Sequence, residues 1–162
     1  MTARAATLAD APSIARIYNQ GIEDRVGTFE TRPRSATDVA AWFDNVHPIV
    51  VVENGSGVIA FASTSVYRPR DCYSGIAETS LYVARDCRRQ GAGRLAMSAL
   101  IEAAEQAGFW KLVSRVFPEN TASRGLIQTM GFREVGLYEK HGKLDGVWRD
   151  VIIVERLIPS NL

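Results

Sequence analysis

The densest chemistry in this chain lies between residues 78 and 94, ETSLYVARDCRRQGAGR. A strand-like run, Ala77 to Val83, passes through Ala-Arg-Asp-Cys into Arg88-Arg89-Gln90-Gly91-Ala92-Gly93-Arg94. From Gly91 the apolar period becomes helical, with Leu95, Leu100, Ile101 and Ala104 on one side and a stop near Gly108. The first N–H groups of a helix lack intrahelical partners, and its aligned peptide dipoles leave about half a positive charge there. A pyrophosphate satisfies both. Gly91 and Gly93 allow close backbone approach, while Arg88, Arg89 and Arg94 supply charge-assisted donors. Taken alone, the segment is equally a glycine-rich helix start beside a solvated basic run. On the preceding strand, alternation sets Glu78, Ser80 and Tyr82 on one face and Thr79, Leu81 and Val83 on the other.

These residues need a scaffold, and its elements are legible. Helical spacing of Ile14, Ile17, Tyr18 and Ile22 predicts a first helix, with Asp10 as N-cap and Pro12 in the first turn. A shorter helix is predicted over 38–46, after an irregular loop at 28–35. Strands at 49–53, 58–67 and 77–83, with a turn at Asn54-Gly55, suggest an antiparallel meander. A strand at 111–117, a helix at 121–129 and strands at 132–138 and 147–157 complete the order, and the tail from Pro159 is expected to fray.

The 162 residues suit one domain, 1–162. A formal charge of +1 gives no drive toward nucleic acid or an anionic membrane, so any anion site is local. Only Cys72 and Cys87 occur, without His/Cys clusters at metal spacing, so neither disulfides nor a metal site is expected. No leader pattern or run of ~18 apolar residues is present, which points to a cytoplasmic protein without a membrane span.

Arg-x-x-Gly-x-Gly after a strand ending Leu81-Tyr82-Val83 resembles the acetyl-CoA motif of the GCN5-related N-acetyltransferases. The spacings of ATP-binding and dinucleotide-binding glycine loops are absent. Downstream, Pro118-Glu119-Asn120 with Ser123 and the later Gly131-Phe132 resemble the segment closing the cofactor groove in that superfamily. The resemblance implies a mixed α/β fold. Its mostly antiparallel sheet of about six to seven strands would be splayed at the cofactor groove and flanked by about four helices. Acetyl-CoA would lie on the main chain of Leu81, Tyr82 and Val83, on residues 88–94, including Gln90 and Ala92, and beside Asn120 and Ser123. Asn120 also reads as an N-cap.

Acetyl transfer needs an amine stripped of its proton, hence a nearby base. Glu78 could take the proton directly or through water, or could merely pair with an arginine on a neighbouring strand. Arg70, Tyr73, Glu78, Tyr82 and Val83 resemble the frame of the phosphinothricin-type subfamily, whose relatives act on arsinothricin and methionine sulfoximine or sulfone. That likeness extends to the IYNQGI, TFET and VWRDV segments. It implies Glu78 as base, Arg70 and Tyr73 holding the acidic group of an amino-acid-like amine, Phe29 and Trp148 walling the pocket, and a possible homodimer. For the two aromatics, packing is the commoner role. Ile127 stands where relatives carry Tyr or His, so the usual proton donor to the departing thiolate is missing, with Tyr138 a weak substitute. His141 reads as a loop residue, and Cys72 lacks a nearby His to support an acyl-cysteine route. Alternatives are acetylation of a protein N-terminus or another amine, and a non-catalytic acetyl-CoA-binding protein.

Overall fold

The protein is described by a computed structural model covering residues 1–25 and 27–162. Its strands are β1 (Thr2–Ala5), β2 (Ile49–Asn54), β3 (Gly57–Val66), β4 (Ile76–Val83), β5 (Lys111–Val116), β6 (Arg133–Leu144) and β7 (Val147–Leu157). Four helices join them: α1 (Ala11–Asp24), α2 (Ala36–Ala40), α3 (Ala92–Gln106) and α4 (Thr121–Thr129). Among the described residues, the strands form one sheet in the order β1-β2-β3-β4-β5-β7-β6, antiparallel throughout except for the parallel pair β4/β5.

Alternation along the strands gives the sheet two apolar faces. Val50 and Val52 of β2 pack with Ala96, Met97 and Leu100 of α3 on one side. Val51 and Phe61 pack with Ile14 and Ile17 of α1 on the other. Both isoleucines of α1 are fully buried, and each such burial contributes about 1.5–3 kcal/mol. The two helical layers therefore hold β4 from opposite faces.

Several predicted boundaries shift. The helix expected over 38–46 is α2, only Ala36–Ala40, because Ser35 and Asp38 close a capping box at its start. Asp10 occupies the N-cap position of α1 without capping it; both its carboxylate oxygens bind the Arg4 guanidinium, at 2.8 and 2.9 Å. That partner lies on β1, a strand too short and too interrupted by charge to show a period. β6 continues past Tyr138 to Leu144 through an irregularity between Tyr138 and Gly142. The tail is docked rather than frayed, since Asn161 Nδ2 donates to the carbonyls of Glu105 and Phe109. No helix among the described residues is long and apolar enough to cross a membrane.

Candidate active site

The site begins where the sheet comes apart. β4 and β5 pair only from Ile76/Lys111 to Glu78/Val113, and beyond that point the strands separate. Ser114 Oγ donates to the Thr79 carbonyl at 3.0 Å, marking the base of the opening. The Ala84 N–H bonds to Ile59 of β3, so alternation aims the main-chain groups of Tyr82 at β3 and those of Leu81 and Val83 into the gap. Open strand edge of this kind offers N–H and C=O groups to an extended molecule.

Past Val83, the chain turns into α3. Gly91 sits at the N-cap with φ +92°, a conformation costly for any residue with a Cβ, and no side chain caps the helix start. The amides at this end thus remain available for an anion. Gly93 also has a packing use. A Cβ there would lie 3.2 Å from Leu126 and 3.5 Å from Val83, so its absence lets α3 close onto β4 and α4. The basic residues are partly engaged as well. Arg88 pairs with Asp24 of α1 at 2.8 Å and donates to the Val83 carbonyl at 3.3 Å, while Arg94 donates to Thr129 of α4 at 3.1 Å. Asn120 caps α4, accepting from the Ser123 amide at 3.1 Å.

Two cavities meet at the gap. A narrow one of about 80 Å³ is lined from the α3/α4 side by Met97, Asn120, Ser123 and Ile127. A larger one of about 470 Å³ is lined by Tyr18, Phe29, Glu78, Tyr82 and His141. Both share Thr79, Ser80, Tyr82, Ser114, Arg115, Val116 and Phe117, so the slit between β4 and β5 connects them. Thr79 is 4% exposed, and its hydroxyl has no hydrogen-bond partner among the described residues. Thr79 lines both cavities, and a buried, unpaired hydroxyl is the kind of group that a bound molecule can satisfy.

In the larger cavity, Glu78 Oε1 lies 3.6 Å from Arg115 Nε, an ion contact of the kind anticipated as its structural role. Glu30, the other carboxylate in the wall, is bound by Arg34 at 2.9 Å. Burial pushes the phenols of Tyr18 and Tyr82 above their ordinary values, outweighing the opposite influence of the Thr28 side chain. They remain protonated at neutral pH and can act as donors there, not bases. Phe29 meets Phe117 edge-on at 5.0 Å and shapes the opposite wall.

The model of the acetyltransferase (GNAT) family matches residues 14–132. The chain belongs to this family. It is 32% identical over 157 residues to the L-methionine sulfoximine/L-methionine sulfone acetyltransferase of Pseudomonas paraeruginosa, covering 94% of this chain and 91% of that one. A GNAT phosphinothricin acetyltransferase from Sinorhizobium meliloti, solved with acetyl-CoA, superposes with TM-score 0.90 at 30% identity, covering 97% and 88% of the two chains. A ribosomal-protein-alanine N-acetyltransferase from Brucella melitensis gives TM-score 0.92 at 28% identity, covering 98% and 100%.

In this acetyltransferase, six of the residues that the sequence singled out lie along the two cavities. Leu81, Tyr82, Asn120, Ser123, Glu78 and Phe29 line the two cavities. Arg70 and Tyr73 do not; Arg70 is exposed, its guanidinium 5.9 Å from the Tyr73 ring centre. Trp148 is 53% exposed on the β6/β7 hairpin, with the Lys143 ammonium 4.6 Å from its ring. Ile127 is buried in the wall of the narrow cavity, and Tyr138 is half exposed against His141. Arg115, His141 and Thr79 were not recognised from sequence as site residues. Position 115 had a signal, because alternation from Glu78's neighbour Val113 places it on Glu78's face, but that requires the β4/β5 register.

Proposed function

We propose that this acetyltransferase moves an acetyl group from acetyl-CoA to the primary amine of a small amino-acid-like acceptor, of the methionine sulfoximine, methionine sulfone, phosphinothricin or arsinothricin type. The observation that carries the reading is the pair of cavities, one reaching toward α3/α4 and the other toward Tyr18 and Phe29, that share the walls of the β4/β5 slit. Acetyl-CoA suits the α3/α4 side: uncapped helix amides and Arg89 for its phosphates, the open edge of Leu81 and Val83 for its amide-bearing arm, and Asn120 and Ser123 along the narrow cavity. The acceptor suits the other side, where Glu78, Ser80 and Tyr82 line the wall.

Glu78 takes one proton from the acceptor's ammonium, and the freed lone pair attacks the thioester carbonyl carbon. Main-chain donors at the gap stabilise the resulting oxyanion, typically by about 3 kcal/mol each. The C–S bond then breaks, and the second amine proton ends on the departing thiolate. Thus one ammonium becomes an amide, with one proton passed to Glu78 and one to sulfur. Relatives named for these amino-acid analogues support the acceptor class, and exposed Val135, Leu137 and Tyr138 on β6 support a homodimer, which light scattering reads as a doubled mass.

The test is thiol release from acetyl-CoA with phosphinothricin, arsinothricin, methionine sulfone, methionine sulfoximine, plain amino acids and a ribosomal N-terminal peptide. Acceptor-dependent release with an acetylated small amine in the mass spectrum supports the reading. Turnover of the peptide alone favours the protein N-terminus. Binding of acetyl-CoA without turnover of any amine removes the enzyme proposal for this acceptor class.

A further inference from the structure

Among the described residues, Arg115 is the one arginine or lysine lining the larger cavity. Its side chain is 49% exposed, and its guanidinium makes no hydrogen bond among the described residues, only the 3.6 Å ion contact with Glu78. Other arginines around the site are already held: Arg34 by Glu30, Arg149 by Glu119 and over the Phe117 ring, Arg88 and Arg85 by Asp24. A loosely paired guanidinium in a cavity wall retains its planar fork of donors, which fits a carboxylate with two parallel bonds. Register gives the pair its direction. Glu78 faces Val113 across β4/β5, and Arg115 lies two residues farther along the same face, toward the opening.

We propose that Glu78 and Arg115 together receive the α-ammonium and α-carboxylate of a free amino acid. The acceptor's carboxylate takes the Arg115 guanidinium, and this exchange releases Glu78 to accept the adjacent ammonium's proton. A zwitterion presents opposite charges one carbon apart, matching a carboxylate and a guanidinium that already face each other. The arrangement makes the free carboxylate, not the acceptor's side group, the feature that Arg115 reads. Esters, amides and polyamines leave Arg115 on Glu78 and the base engaged. The inference rests on the acetyltransferase reading above and names its acceptor more closely.

The experiment compares L-methionine sulfone with its carboxamide, which carries the same amine and side chain without the acid, in wild type, Arg115→Gln and Arg115→Lys. For wild type, kcat/KM favours the free acid by about tenfold or more, as loss of a charged hydrogen bond predicts. In Arg115→Gln that preference collapses to within about twofold, chiefly through a raised KM for the acid. Arg115→Lys restores part of it, because one of two parallel bonds survives. Residual turnover of the carboxamide shows that the variants are folded. Equal use of acid and amide by wild type, or a preference that survives in Arg115→Gln, overturns the inference while leaving the enzyme reading intact. Failure of wild type to acetylate either compound, or any amine of the wider panel, overturns both.

Discussion

Glu78 is placed by its strand and touched only by the loose Arg115 contact at 3.6 Å, which is why a single residue carries so specific an expectation. Its neighbours on the same face, Ser80 and Tyr82, are hydroxyls; burial keeps the Tyr82 phenol protonated, and Glu30 is tied to Arg34. Among the described residues, that leaves Glu78 as the carboxylate in the wall free of a cationic hydrogen bond, which supports the proposed base role. Glu78→Gln is expected to lower kcat by about 100-fold below neutral pH, where the acceptor is almost wholly ammonium, and less at high pH, where free amine is available. The pH dependence of kcat measures this, and a profile parallel to wild type would sink the assignment. Arg115 shows the limit of reading residues singly. It belongs to a strand whose apolar pattern is unremarkable, and becomes a site residue only through pairing with β4.

At the scale of elements, the strand-to-helix passage around β4 and α3 was legible because it changes period at a glycine. Its chemistry was only half legible. Gly91 is required by its positive φ, yet Gly93 serves the packing of Leu126, and Arg88 braces the loop against α1. Contacts between distant elements decide such roles, and no local spacing encodes them. β1 escaped notice for the same reason, since its place depends on β2 and on the Arg4–Asp10 pair. Gly91→Ala is expected to cost about 1–3 kcal/mol of stability and to weaken acetyl-CoA binding, as read by thermal unfolding and calorimetry. Thr79 offers the opposite combination. Its unpartnered hydroxyl costs the free protein desolvation, so Thr79→Val should raise Tm while weakening acetyl-CoA binding about fivefold, equivalent to one neutral hydrogen bond. A variant that loses stability, or binds as tightly as wild type, would show that the hydroxyl does not meet the ligand.

Across the whole molecule, carboxylates join the elements that frame the cavities, and they set its response to acid. The Arg4 guanidinium holds Asp10 below its ordinary value, and Arg85 does the same for Asp24. At Asp44, burial acts upward but is outweighed by the amides of His47 and Val46 and the His47 ring, bringing the carboxyl to about 2 from 3.8. Folded values below unfolded ones mean that each contribution is complete above about pH 4 and is lost as pH falls through the folded value. Stability should therefore fall between about pH 4 and 2, and Asp44→Asn should flatten that fall in denaturant titrations across this range. An unchanged slope would contradict the Asp44 account. Taken together, the two helical layers, the parted strands and the joined cavities support the proposal that two substrates meet through the sheet for direct transfer. Initial-rate kinetics with acetyl-CoA and L-methionine sulfone varied together tests this most directly. Intersecting double-reciprocal lines, the signature of a ternary complex, are the predicted result; parallel lines with an acetylated protein intermediate would contradict it.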